Sequence, residues 1–211
     1  MSEDLNTSAE KSVRVSALCG SLRRGSYTRM ALRIALEGAA EVGAETELID
    51  LSDYELPFCI GDDDQEMPED VGRLRAQVEN CQGLIIGTPE YHGSYSGVLK
   101  NAIDLMGFDQ FAGKMIGLVG VAGGAMGALS ALASLRTVGR AVHAWVIPEQ
   151  AMVPHAWKVF NDDGTVKDPS FDKRLREVGR QVARFSFLHS SEQAMDFLRL
   201  WEGAPVNPGG D

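Results

Sequence analysis

The sequence predicts a doubly wound α/β fold: a five-stranded parallel sheet in the order 2-1-3-4-5, with helices on both faces. Three observations carry this expectation. Short apolar runs alternate with stretches of helical period along most of the chain. Runs such as Leu84-Ile85-Ile86 are apolar on both faces, as strands are when helices cover each side of a sheet. Strands joined through helices make right-handed crossovers, which leave few topologies, and this order is the natural one.

The elements follow in chain order. Residues 13–19 are β-rich and end at Gly20, the first strand. Residues 27–42 bring Met30, Ala31, Ile34, Ala35, Gly38 and Val42 near one helical face, with Gly43 as a stop signal. Residues 46–51 read as the second strand. Residues 52–67 form a long loop whose acidic run, Asp62-Asp63-Asp64, reads as solvated rather than metal-binding. Residues 68–80 are a helix with proline in its first turn. Residues 83–87 form the third strand and 97–106 a helix. Residues 115–121 form the fourth strand and 126–138 the next helix. Residues 141–153 are largely extended, interrupted by Pro148. An amphipathic helix spans 171–188, and 190–201 continue or restart it. Residues 12–201 are thus expected to form one domain. A disordered segment at 1–11 precedes it, and a flexible tail rich in Gly and Pro follows at 202–211.

Bulk properties narrow the function. A chain of 211 residues suits one compact domain. A formal net charge of −10 repels the phosphates of nucleic acid and of anionic lipid, so neither is an expected partner. The three cysteines, Cys19, Cys59 and Cys81, show no paired spacing, which fits reduced thiols in a cytoplasmic protein. The four histidines are equally dispersed, and no metal motif appears. The N-terminus lacks the basic and apolar regions of a signal peptide, and no apolar run is long enough to span a bilayer.

In such a sheet ligands bind beyond the carboxyl ends of the strands, where the strand order reverses. Two loops meet there, 20–28 and 88–96, with 122–126 beside them. The first, Gly20-Ser21-Leu22-Arg23-Arg24-Gly25-Ser26-Tyr27-Thr28, leaves a strand and enters a helix. Free N–H groups at a helix N-terminus favour an anion. Ser21, Ser26 and Thr28 add hydroxyl donors, and Arg23 or Arg24 adds a forked cation. Ser26 can also serve simply as a helix cap. The pattern is neither a Walker A loop nor G-x-G-x-x-G. Nor is it a tyrosine-phosphatase loop, since the position six after Cys19, where that chemistry needs an arginine, is Gly25.

The second loop, Thr88-Pro89-Glu90-Tyr91-His92-Gly93-Ser94-Tyr95-Ser96-Gly97, can bring backbone amides close to a planar polar ring. His92 is expected to face solvent or bond locally while its backbone does the useful work, and Glu90 to play a structural hydrogen-bonding part. The third loop, Ala122-Gly123-Gly124-Ala125-Met126, is small enough to let backbone approach the ring's other side.

The string Gly20-Ser21-Leu22-Arg23-Arg24-Gly25-Ser26 is followed some sixty residues on by Pro89-Glu90-Tyr91-His92-Gly93-Ser94-Tyr95-Ser96-Gly97-Val98-Leu99-Lys100-Asn101-Ala102-Ile103-Asp104. Together they resemble the NADPH-dependent FMN reductase family, over about residues 13–153. That resemblance implies a flavodoxin-like fold, non-covalent FMN, NADPH or NADH as hydride donor, and a homodimer or dimer of dimers with the flavin near the interface. Carried over by position, Ser21, Arg23, Ser26 and Thr28 would hold the phosphate, with Tyr27 in the same turn. Pro89, Glu90, Tyr91, His92 and Gly93 would embrace the ring, and Gly123 and Gly124 would close its other side. The family often has Asn where His92 stands and Pro where Ser96 stands. The implied activity is ping-pong transfer from NADPH or NADH through FMN to a small acceptor such as a quinone, chromate, an azo dye or free flavin. A flavodoxin-type electron carrier, or an FMN-binding module without turnover, is the alternative. No catalytic side chain is required, because the cofactor carries the chemistry.

Overall fold

The structure is a computed structural model that describes residues 13–62 and 64–203. The expected disordered segment at 1–11 lies outside the described residues, as does 204–211 of the expected tail.

The chain runs β1 (Arg14–Cys19), α1 (Tyr27–Ala40), β2 (Glu45–Asp50), α2 (Glu69–Glu79), β3 (Gly83–Tyr91), β4 (Ser94–Tyr95), α3 (Gly97–Asp104), α4 (Phe108–Phe111), β5 (Met115–Val121), α5 (Leu129–Ala141), β6 (Trp145–Val153), α6 (Ala156–Val159), α7 (Pro169–Ser190) and α8 (Glu192–Glu202). The five long strands pair in parallel in the order β2-β1-β3-β5-β6. Counting long strands alone, this is 2-1-3-4-5, the order expected.

Alternation along the strands feeds two apolar layers. Val15, Ala17, Ile85 and Val119 pack with Ala31 and Ala35 of α1 and Leu175, Val178 and Val182 of α7. On the other face Leu18, Leu84, Ile86 and Leu118 pack with Leu74 of α2, Leu99 of α3 and Leu132 of α5. Helices α1 and α7 cross so closely that a Cβ at Gly38 would strike the backbone of Arg176, and one at Gly179 the backbone of Ala35. Both positions therefore need glycine to let the two backbones meet.

Three boundaries differ from expectation: the end of the third strand, the start of α5, and the start of the last strand, which is Trp145 rather than 141 because α5 runs on to Ala141. The third strand does not stop at residue 87. It runs to Tyr91 and folds back on β4, pairing Glu90 with Tyr95 and Tyr91 with Ser94. His92 and Gly93 make the two-residue turn at φ 51° and 78°. Positive φ at both central positions is the type I′ pattern, whose twist matches the strands. The expected loop at 88–96 is therefore a hairpin. Helix α5 starts at Leu129 rather than at 126, because Gly127 and Ala128 sit at φ 63° and 70° and cannot extend it backwards. The β5–β6 ladder shifts register between Ile116 and Leu118, beside Pro148. Arg136 holds the carbonyls of Ile147 and Pro148 there at 3.0 and 2.8 Å.

At the C-terminal end, Asp168 caps α7 by accepting from Ser170 N at 2.8 Å. Ser191 is extended and caps α8 by accepting from Ala194 N at 3.2 Å. The amphipathic stretch after α7 is therefore a separate helix.

Candidate functional site

The carboxyl ends of β1, β3, β5 and β6 border one cleft of about 330 Å3, lined by Ser21, Arg23, Tyr27, Thr28, Pro89, Glu90, Tyr91, Val121, Ala122, Gly123, Ala156 and Trp157. Its volume falls within the range of small-molecule sites. Nine of these positions belong to the three loops expected to meet here, and eight of them to the expected cofactor-binding set.

The turn from β1 into α1 is organised around backbone donors. Among the described residues, no backbone N–H from Ser21 through Thr28 meets an intramolecular acceptor. A run of free N–H groups beside a helix N-terminus is an anion site. Ser21 and Thr28 are nearly fully buried against it, and Arg23 lines the same cleft. Ser26 is buried as the N-cap of α1, accepting from Arg29 N at 3.2 Å. Its role as a cap is thus visible, and its hydroxyl proton stays available to a ligand.

Arg29 was not foreseen as part of the site. Its Nη1 donates to the carbonyls of Arg23 and Arg24 at 3.1 and 2.9 Å. Its Nε donates to the Asp50 carboxylate and its Nη2 to Ser52 Oγ. Turning both carbonyls toward one guanidinium leaves the N–H groups of the turn for the cleft. Burial opposes ionisation of Asp50, but hydrogen bonds from Arg29 and Ser52 hold its carboxyl below the usual range. The hydrogen bond to Asp50 likewise raises Arg29 above its ordinary value. The sequence signal was faint: an arginine three residues after a helix cap, with its acidic partner 21 positions away.

The first turn and the hairpin are tied together. Gly20 N donates to Gly87 O at 2.8 Å, and Ser96 Oγ donates to Gly20 O at 2.6 Å. Ser96 Oγ also accepts from Leu99 N at 3.2 Å, capping α3. Ser96 thus supplies a side-chain link between the loops that a proline there could not.

Glu90 spans a similar distance. Its carboxylate accepts from Ala131 N at 3.0 Å, in the first turn of α5. The formal cap of that helix, Ala128, offers no side-chain acceptor, so Glu90 supplies it from another strand. His92 is exposed at the hairpin tip, while Pro89 is buried and Tyr91 is 49% exposed beside the cleft. Gly93 is also on the exposed tip. Neither His92 nor Gly93 is among the residues lining the cleft. Gly123 lines the cleft, and Gly124 holds its neighbour in place by accepting from His155 N at 3.2 Å.

The fourth wall comes from the segment after β6, to which the sequence assigned no role. Ala156 N donates to Ala122 O at 3.1 Å, and Phe160 stacks on Tyr27 with ring centroids 5.7 Å apart. The segment is thereby fastened to both the first and the third loop, and it places Trp157 at the rim, 57% exposed.

Cys19 is fully buried, and burial pushes its thiol up to about 11. That is the reverse of what a thiolate nucleophile needs.

Comparisons with known proteins identify the family. The family model described as NADPH-dependent FMN reductase matches residues 13–158. The chain is similar to the NADPH-dependent FMN reductase ArsH of Shigella flexneri, 32% identical over 83% of this chain and 69% of the relative. It is also similar to the FMN-dependent NADPH-azoreductase of Staphylococcus aureus strain USA300, 31% identical over 80% of this chain and 92% of the relative. Among solved structures it resembles FerB, a flavoenzyme NAD(P)H:(acceptor) oxidoreductase from Paracoccus denitrificans, with a TM-score of 0.70 and 30% identity over 84% of this chain and 98% of that one. The family model covers more than two thirds of the sequence, and the chain belongs to the NADPH-dependent FMN reductase family.

Proposed function

We propose that this protein is an NAD(P)H-dependent FMN oxidoreductase that hands electrons to a small acceptor, a quinone, chromate, an azo dye or free flavin, with donor and acceptor taking turns at one cleft. The observation that carries the reading is the row of unsatisfied N–H groups from Ser21 to Thr28 opening into a cleft that continues between Pro89–Tyr91 and Gly123, with Trp157 at its outer rim. A monophosphate tail fits the first part and a flat ring system the second, so the residues present suit FMN.

The chain's own residues would act as follows. The 21–28 N–H groups, with the hydroxyls of Ser21, Ser26 and Thr28 and the guanidinium of Arg23, hold the phosphate. Tyr27 flanks them. Pro89, Glu90 and Tyr91 border one edge of the ring slot, with Gly123 and Gly124 at the other. The free N–H groups of His92 and Gly93 are the donors nearest the hairpin tip for negative charge on the ring. Bound FMN supplies the hydride-accepting ring and the electrons for the acceptor. The half-exposed rim leaves space for a second planar reactant.

Residues 12–201 would form the single FMN-binding domain. The family resemblance favours a homodimer or a dimer of dimers. Three free cysteines, two of them buried, suit a cytoplasmic setting. Among the described residues, no helix is long and apolar enough to cross a membrane.

The test is anaerobic mixing of FMN-loaded protein with NADPH, followed by an acceptor panel. Rapid bleaching of the flavin band and parallel double-reciprocal lines are expected. Protein that cannot be reconstituted with FMN overturns the reading. Protein that binds FMN but is not bleached at millimolar NADPH is an electron carrier or a binding module instead.

A further inference from the structure

At the rim of the cleft Trp157 presents an aromatic ring that is 57% exposed. The segment carrying it is held from two sides, by His155 N and Ala156 N on the third loop and by Phe160 against Tyr27. His155 Nδ1 lies 3.2 Å from Gly123 O as well. A large apolar ring fixed in the open is paying no stability by burial, and its rigidity lowers the entropy cost of stacking something upon it. The Lys158 ammonium sits over the Trp157 ring, 4.8 Å from its centroid. Among the described residues Lys158 has no ion-pair partner, in a chain whose net charge is −10. An unpaired cation beside an exposed aromatic face selects for a flat ring with an anion attached.

We infer that Trp157 and Lys158 form a docking subsite, at the mouth of the flavin cleft, for an aromatic ring bearing a negatively charged substituent. This rests on the functional reading above and names a recognition element for the second reactant. Two sources carry that chemistry: the adenosine 2′-phosphate end of NADPH, and an acceptor such as a sulfonated aromatic. The phosphate of FMN is served by the 21–28 turn and leaves Lys158 free for this role.

The test uses FMN-loaded protein and equilibrium binding by calorimetry, so it does not depend on turnover. The probes are NADP+, NAD+, a sulfonated naphthoquinone and its neutral parent. Lys158→Gln should weaken either NADP+ or the sulfonate about threefold to fivefold and leave its counterpart, which lacks the 2′-phosphate or the sulfonate, within about twofold, as befits a solvent-exposed ion pair. A loss confined to NADP+ assigns the donor, and a loss confined to the sulfonate assigns the acceptor. Trp157→Ala should weaken both members of the affected pair about threefold to tenfold, with Trp157→Phe restoring most of it. Lys158→Gln with unchanged affinity for both anions overturns the inference. So does Trp157→Ala that sheds its flavin, because the ring would then belong to the FMN site. Wild-type protein that never binds FMN sinks the functional reading instead, which the flavin absorbance band reports separately.

Discussion

Arg29 shows how a residue that lines no part of the cleft can shape it. Four hydrogen-bonding groups, the carbonyls of Arg23 and Arg24, the Asp50 carboxylate and the Ser52 hydroxyl, converge on one guanidinium. Replacing it removes charge-assisted bonds that orient the turn at 21–28. Arg29→Met is therefore expected to raise the Kd for FMN about tenfold, or ~1.4 kcal/mol, read by flavin fluorescence titration. Wild-type affinity in that variant would mean the turn holds its shape unaided. His92 illustrates the opposite case. Its conspicuous imidazole is exposed at the hairpin tip, and its backbone at φ 51° is what the turn requires. Asn, which the family resemblance leads one to expect at this position, enters that conformation easily.

At the scale of elements, the position of α1 decides where the turn at 21–28 lies, and α7 decides the position of α1. The two helices touch backbone to backbone at Gly38 and Gly179. Around that contact Arg176 pairs with Glu37 and Glu41, and Arg180 with Glu41 and Glu177. These partly exposed pairs add little by themselves, and the glycine contact carries the geometry. Gly179→Ala forces the helices apart. It should cost about 3 kcal/mol and lower Tm by about 6–12 °C. In α2, by contrast, a Cβ at Gly72 meets nothing. Gly72→Ala should raise stability by about 0.5–1 kcal/mol, because a helix interior gains from the lost backbone freedom of the unfolded chain. Thermal melts of the two variants, with opposite signs, check both statements.

Over the whole molecule, the link between the end of β2 and the α1 turn makes stability respond to acid. The folded carboxyl of Asp50 titrates lower than its ordinary value. A depressed acid stabilises fully above its unfolded pKa of about 4, and that stabilisation disappears as pH falls through the lower folded value. Urea unfolding between pH 7 and pH 3 should show wild type losing stability on the acid side. Asp50→Asn should be less stable at neutral pH and lose less on acidification, since it has no proton to take up there. Parallel acid limbs for the two proteins would remove Asp50 from the account.

The amino-acid pattern alone determined the layered α/β class, the strand order and the position of three cleft-lining loops. Each rests on signals local in sequence: wholly apolar runs, helical periodicity, and glycine or hydroxyl residues at strand exits. The tertiary structure alone decided which groups complete the site. Arg29 reaches Asp50, Glu90 caps α5, and the segment after β6 swings Trp157 to the rim. It also turned the second loop into a hairpin, through two residues at positive φ. The reason is physical. Periodicity and turn chemistry act over a few residues and can be read one stretch at a time. A hydrogen bond across 41 positions, or a ring held between two loops, exists only once the sheet has brought distant strand ends together.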